Sequence, residues 1–154
     1  MDEKNHLKKI MPVSRRLVSL IENNAEHLAL EWLKDVKTRI KTPTYHTFDE
    51  KDLFNTAYEV YKNLGKWISW ETTKDHIAAE YTAHGARRRD QEFELSEVVQ
   101  ALILMRRHLW QKVLDDGLLD TALDMYQALE LNRRVVRYFD RAIFFTIVGY
   151  MKNR

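Results

Sequence analysis

From Leu118 to Arg154 the chain contains no Pro and a single Gly, Gly149. A stretch of that length without a breaker predicts one long α-helix, and at about 1.5 Å per residue it would reach roughly 50 Å. Apolar residues recur through it at helical spacing, at Leu119, Leu123, Tyr126, Leu129, Val136, Phe139, Ile143, Ile147 and Tyr150. Such a helix is longer than most small domains are wide. It predicts an input or docking module whose signal leaves through the C-terminal helix.

The rest of the chain is equally poor in turns, with four Gly and two Pro in 154 residues, which predicts long helices and short connections. A first helix is expected from near Val13 to about Arg39, carrying Leu17, Ile21, Leu28, Trp32 and Val36, with Asn23 and Asn24 marking a bend. The segment KTPTYHTFDE reads as a loop. Asp49 then suits an N-cap, with Asp52 as a weak capping box, ahead of a helix carrying Leu53, Ala57, Val60, Tyr61, Leu64 and Trp67. A third helix is expected over Lys74 to Arg89, and a fourth after Ser96 that ends at Asp116 with Gly117 as its cap. No strand alternation competes. The expected architecture is all-α: one domain over residues 1–154, an antiparallel bundle of four to five helices with a long C-terminal helix, and residues 1–12 loosely attached.

Composition narrows the function. A 45 % hydrophobic content is enough for one core, and without Cys that core must stand without disulfides or thiolate metal sites. No apolar run approaches the roughly 20 residues that span a bilayer, so a cytoplasmic protein with no membrane partner is expected. Twenty-five Lys and Arg against 23 Asp and Glu leave a net charge of +2, too balanced for a protein defined by nucleic-acid binding. The basic runs at Arg87 to Arg89 and at Arg133, Arg134 and Arg137 read as solvated helix faces.

Catalytic signatures are missing: there is no Cys, no glycine-flanked Ser and no Gly-rich phosphate loop, so no enzyme activity and no cofactor are expected. His76, Glu80 and His84 follow i, i+4, i+8 spacing and make a weak metal-ligand set. His84 and His108 are the residues a haem would use. More telling are charges on apolar faces: Arg88, Arg106 and Asp140. A charge near a core is costly unless paired, so Asp140 should meet one of these Arg side chains, either fixing helix register or lining a polar cavity.

The stretch HGARRRDQEFELSEVVQALILMRRHLW, with YFDRAIFFTIVGY downstream, resembles the N-terminal sensory domain of the RsbT co-antagonist (RsbRD) family, also found ahead of bacterial histidine kinases. That family's His, its Arg four positions on, its Phe-x-Leu, paired Val and Leu-Leu-Arg fall on His84, Arg88, Phe93, Leu95, Val98, Val99, Leu104, Met105 and Arg106. Its late Asp falls on Asp140 and its closing Tyr on Tyr150, while Trp32 in a Glu-Trp-Leu context fits more loosely. Glu92 stands where the family carries Gly, and Ala101 and Leu102 where it carries an acidic-aromatic pair.

The resemblance implies a helical sensor that passes state changes to a kinase or to an anti-sigma regulatory output domain. His84, Arg88, Arg106 and Asp140 are then the expected ligand site or polar core, for an unidentified small ligand. Four Trp, six Phe and seven Tyr exceed what one small bundle must bury. A homodimer is therefore expected, with Val136, Phe139, Ile143, Ile147 and Tyr150 as its dimer and signalling face.

Overall fold

The computed structural model describes residues 14–69 and 71–152, so the segment expected to be loosely attached, residues 1–12, lies outside the described residues. Among them the chain forms seven α-helices, one 3-10 turn and no strand. These are α1 (Arg15–Asn23), α2 (Ala25–Thr38), the turn Pro43–His46, α3 (Glu50–Lys62), α4 (Leu64–Trp67), α5 (Lys74–Asp90), α6 (Leu95–Asp116) and α7 (Ala122–Met151). The all-α bundle with a long last helix is what the residues build.

Helix ends follow local chemistry. The Ser14 hydroxyl accepts from the Leu17 amide at 3.1 Å, and the Thr73 hydroxyl does the same for His76 at 3.1 Å, opening α1 and α5. The expected bend at Asn24 is a break between α1 and α2. Its side-chain amide donates to the Leu20 carbonyl at 2.7 Å, drawing that group away from the helix ladder. Asn63 repeats the device between α3 and α4, donating to the Glu59 carbonyl at 3.1 Å.

Asp49 caps α3 by accepting from the Lys51 amide at 3.2 Å, but Asp52 turns away to another partner, so no capping box forms there. The box appears instead on α7. Thr121 accepts from the Asp124 amide at 3.0 Å while the Asp124 carboxylate accepts from the Thr121 amide at 3.1 Å, which starts this helix at Ala122 rather than Leu118.

Buried indole and phenol groups tie the layers together: Trp32 Nε1 donates to the Ala101 carbonyl and the Tyr61 hydroxyl to the Met105 carbonyl, both at 2.8 Å. These bonds hold α2 and α3 against α6. Leu17, Ile21, Leu53, Leu64, Leu102 and Phe139 are enclosed around them, each contributing about 2 kcal/mol over an exposed position.

The inner face of α7 departs from the predicted stripe. Ala128, Leu131, Val135, Tyr138, Phe139, Ala142, Thr146 and Gly149 point inward, whereas Leu123, Tyr126 and Leu129 are exposed. Of the predicted stripe only Phe139 is fully enclosed. Large side chains dominate a periodicity reading, but Ala142, Thr146 and Gly149 let the backbones of α5 and α7 meet, and that contact sets the phase. A Cβ on Gly149 would fall 1.9 Å from the Thr82 carbonyl oxygen.

Candidate functional site

A cavity of about 330 Å³ opens between α3, α4 and α5. Helix α5 contributes Glu80, Tyr81, His84 and Arg87 to its wall, and α3 contributes Asp52, Asn55, Thr56, Glu59 and Val60, with Trp67 from α4. Spacings of three and four residues place each set on one helical face.

His84 is 6 % exposed. Burial first, then the Arg88 and Arg87 guanidinium charges, push its pKa down to about 3, so the ring is neutral near pH 7. Nδ1 lies 3.5 Å from Nη2 of Arg87. A guanidinium can only donate, so Nδ1 is assigned as acceptor and the ring proton to Nε2. No acceptor for that N–H is found among the described residues.

Arg88, one turn on, is enclosed to 1 % exposure. Its guanidinium donates to Asp52 at 3.0 Å, to the Gln91 amide oxygen at 2.7 Å and to the Thr56 hydroxyl at 3.3 Å. The Phe48 and Phe93 rings flank it at 5.4 and 5.0 Å. Behind the cavity, Trp67 packs on Tyr138 of α7 at 5.6 Å between centroids. The Tyr81 and Tyr138 hydroxyls bond to each other, and burial drives both phenols above their usual pKa. The cavity wall is thus fastened directly to α7.

The four residues expected to share one polar site divide into two places. His84 and Arg88 sit on adjacent turns beside the cavity, but Arg88 takes Asp52 as its partner, not Asp140. Arg106 and Asp140 do meet, at 3.9 Å, yet Asp140 is 67 % exposed, so this is a surface pair of small energetic weight. Asp140 follows Phe139 by 100° around the helix, which carries it out of the core.

The expected metal face also separates, since His76 and Glu80 are exposed while His84 is buried. Among the described residues no three His, Asp or Glu gather as a ligand set. His108 bonds Asp35 at 2.8 Å and does not line the His84 cavity. On α7, Phe139 belongs to the chain's own core rather than to a dimer face, and the Tyr150 hydroxyl donates to the Phe93 carbonyl at 2.6 Å. Val136, Ile143 and Ile147 remain partly exposed, beside the exposed Leu129, Phe144 and Met151.

Sequence reasoning missed Asp52, Glu59 and Trp67 as cavity residues. The signal was present in part: Asp52, Asn55, Thr56 and Glu59 form a polar row on one face of α3.

Against known families, the profile of the RsbT co-antagonist protein rsbRD N-terminal domain matches residues 27–154. The chain belongs to this family. Members are regulatory signalling domains rather than catalysts. The matched segment of this RsbRD N-terminal domain begins within α2 and takes in the whole cavity and all of α7, leaving α1 outside. Glu92, expected from the resemblance to replace a Gly, has φ of 66°, the left-handed conformation that favours glycine. No match was found among curated proteins or among solved structures. No helix among the described residues is long and apolar enough to cross a membrane.

Proposed function

We propose that this RsbRD N-terminal domain is a non-catalytic, cytoplasmic input domain that pairs with a second copy through α7. Changes in packing then travel along that helix to a histidine kinase or an anti-sigma regulatory output domain. The observation that carries this reading is the two-sidedness of α7. Its inner face is locked to α5 through Gly85, Thr146 and Gly149, while its outer face presents Leu129, Phe144 and Met151, each more than half exposed.

A helix with apolar residues on both sides is ordinarily buried on both sides. A symmetric pairing of two α7 helices covers the outer row, and a rigid α5–α7 unit can shift relative to its copy as one body. Family membership supports the signalling role. Sedimentation velocity tests it: the protein is expected to be dimeric at micromolar concentration, and a Phe144→Glu, Met151→Glu variant monomeric with an unchanged melting temperature. A wild-type protein that stays monomeric at about 100 µM, a concentration at which a specific interface should form, overturns it.

A second reading, in which the domain senses a small ligand directly, is favoured by the His84 cavity and its bond to α7 through Tyr81. The two readings are compatible.

A further inference from the structure

The charges around the cavity are sorted by position. The Arg88–Asp52 bond pins the C-terminal part of α5 to the first turn of α3, and Arg87 stands at that end. The field there is positive: Arg88 and Arg87 are the charges felt by His84. One to two turns away the field reverses, since Glu80 and Glu59 are the carboxylates felt by Tyr138.

At the positive end Asp52 is already taken by Arg88, which leaves the His84 Nε2–H without an acceptor among the described residues and Arg87 with only its 3.5 Å bond to His84 Nδ1. At the negative end Glu59 accepts from the Asn63 amide at 2.8 Å, and Glu80 makes no hydrogen bond or ion pair among the described residues. Between them lie Trp67, Tyr81 and Val60, all enclosed, forming an apolar floor.

We propose that this cavity binds a small zwitterion whose ammonium and carboxylate groups are several bonds apart, of the ω-amino-acid type. The carboxylate meets Arg87 and the His84 Nε2–H, the ammonium meets Glu80 and Glu59, and the methylene chain lies along Trp67 and Tyr81. Glu80 and Arg87 stand seven residues apart on one face of α5, about 10 Å along the axis. That span suits separated charges better than the adjacent ones of an α-amino acid.

A lone cation would leave Arg87 and His84 unmatched, and a lone anion would face two carboxylates. His84 is suited to its part, since it is 6 % exposed, lines the cavity and presents a neutral imidazole that can donate there. Occupancy would press on Tyr81 and through its hydroxyl on Tyr138 of α7. The inference deepens the input-domain reading by naming a signal class, and it is tested without any output: absence of binding leaves the self-association result standing.

Calorimetry and ligand-observed NMR on the purified protein would compare 6-aminohexanoate, hexylamine and hexanoate, which share a chain and differ only in charge. The zwitterion is expected to bind with a dissociation constant of about 1 mM or tighter and the two singly charged probes at least about tenfold more weakly. Glu80→Gln and Arg87→Gln, both at exposed positions, should each weaken 6-aminohexanoate about tenfold with the melting temperature unchanged. Hexylamine binding as well as the zwitterion, indifference to Arg87→Gln, or no binding of 6-aminohexanoate at about 10 mM would each overturn the proposal.

Discussion

Gly85 and Thr146 meet backbone to backbone: a Cβ on Gly85 would lie 2.0 Å from the Thr146 carbonyl oxygen. Nothing flexible stands in the way that could yield, so the two helices themselves would have to part. Gly85→Ala is expected to lower stability by a net 2 to 3 kcal/mol or about that, the clash outweighing the roughly 1 kcal/mol by which Ala favours a helix. Urea denaturation measures it, and an unchanged midpoint would mean that α5 and α7 slide freely.

The buried His84 makes stability depend on pH. Its folded pKa, about 3, lies below its unfolded value of about 6.5, so the unfolded chain binds the proton more readily. Stability is therefore lost as pH falls from about 6.5 toward 3, amounting to about 2 kcal/mol by pH 5. His84→Gln should flatten this segment of the stability curve, and the difference between the two curves isolates His84 from the other His residues. Parallel curves would show that His84 takes up its proton as readily in the folded as in the unfolded chain.

Arg88 acts through packing and hydrogen bonding together. Arg88→Ala removes the guanidinium from between Phe48 and Phe93 and leaves Asp52 and the Thr56 hydroxyl without their donor. A loss of about 3 kcal/mol is expected by chemical denaturation. Arg88→Lys should recover only part of it, because an ammonium lacks the planar fork that serves several acceptors.

Glu92 strains the corner between α5 and α6. With φ of 66° and an exposed side chain, it gains nothing from packing that Gly would lose. Glu92→Gly is expected to stabilise by up to about 1 kcal/mol, the relief of left-handed strain exceeding the added freedom of the unfolded chain. A lowered melting temperature would refute this.

The Tyr81 and Tyr138 hydroxyls satisfy each other in a dry site. Tyr81→Phe or Tyr138→Phe alone orphans the remaining hydroxyl at about 1 to 2 kcal/mol, while the double variant removes both and should recover most of that loss. Additive losses in the cycle would mean that the hydroxyls do not depend on one another, and that this link between cavity and α7 is absent.

Much of the fold was legible in the chain itself, because what specifies a helix is local. Scarce Gly and Pro, periods of three and four residues, and caps such as Asp49 act within a few positions, so the all-helical class, the order of the main helices and the long α7 could be read from the chain. The four to five helices expected are seven among the described residues, because α1/α2 and α3/α4 break at Asn24 and Asn63. The polar residues singled out, His84 and Arg88, do sit beside the cavity. Their partners were not legible: Arg88 chooses Asp52, 36 residues away, over Asp140, a choice made by which helix faces oppose each other. The phase of α7 was likewise decided in three dimensions. Hydrophobicity ranks Leu123, Tyr126 and Leu129 as core, whereas close packing selects Ala142, Thr146 and Gly149, whose small size lets two backbones touch. Local propensity determined the elements, and only steric fit between distant segments decided which faces, and so which charges, came together.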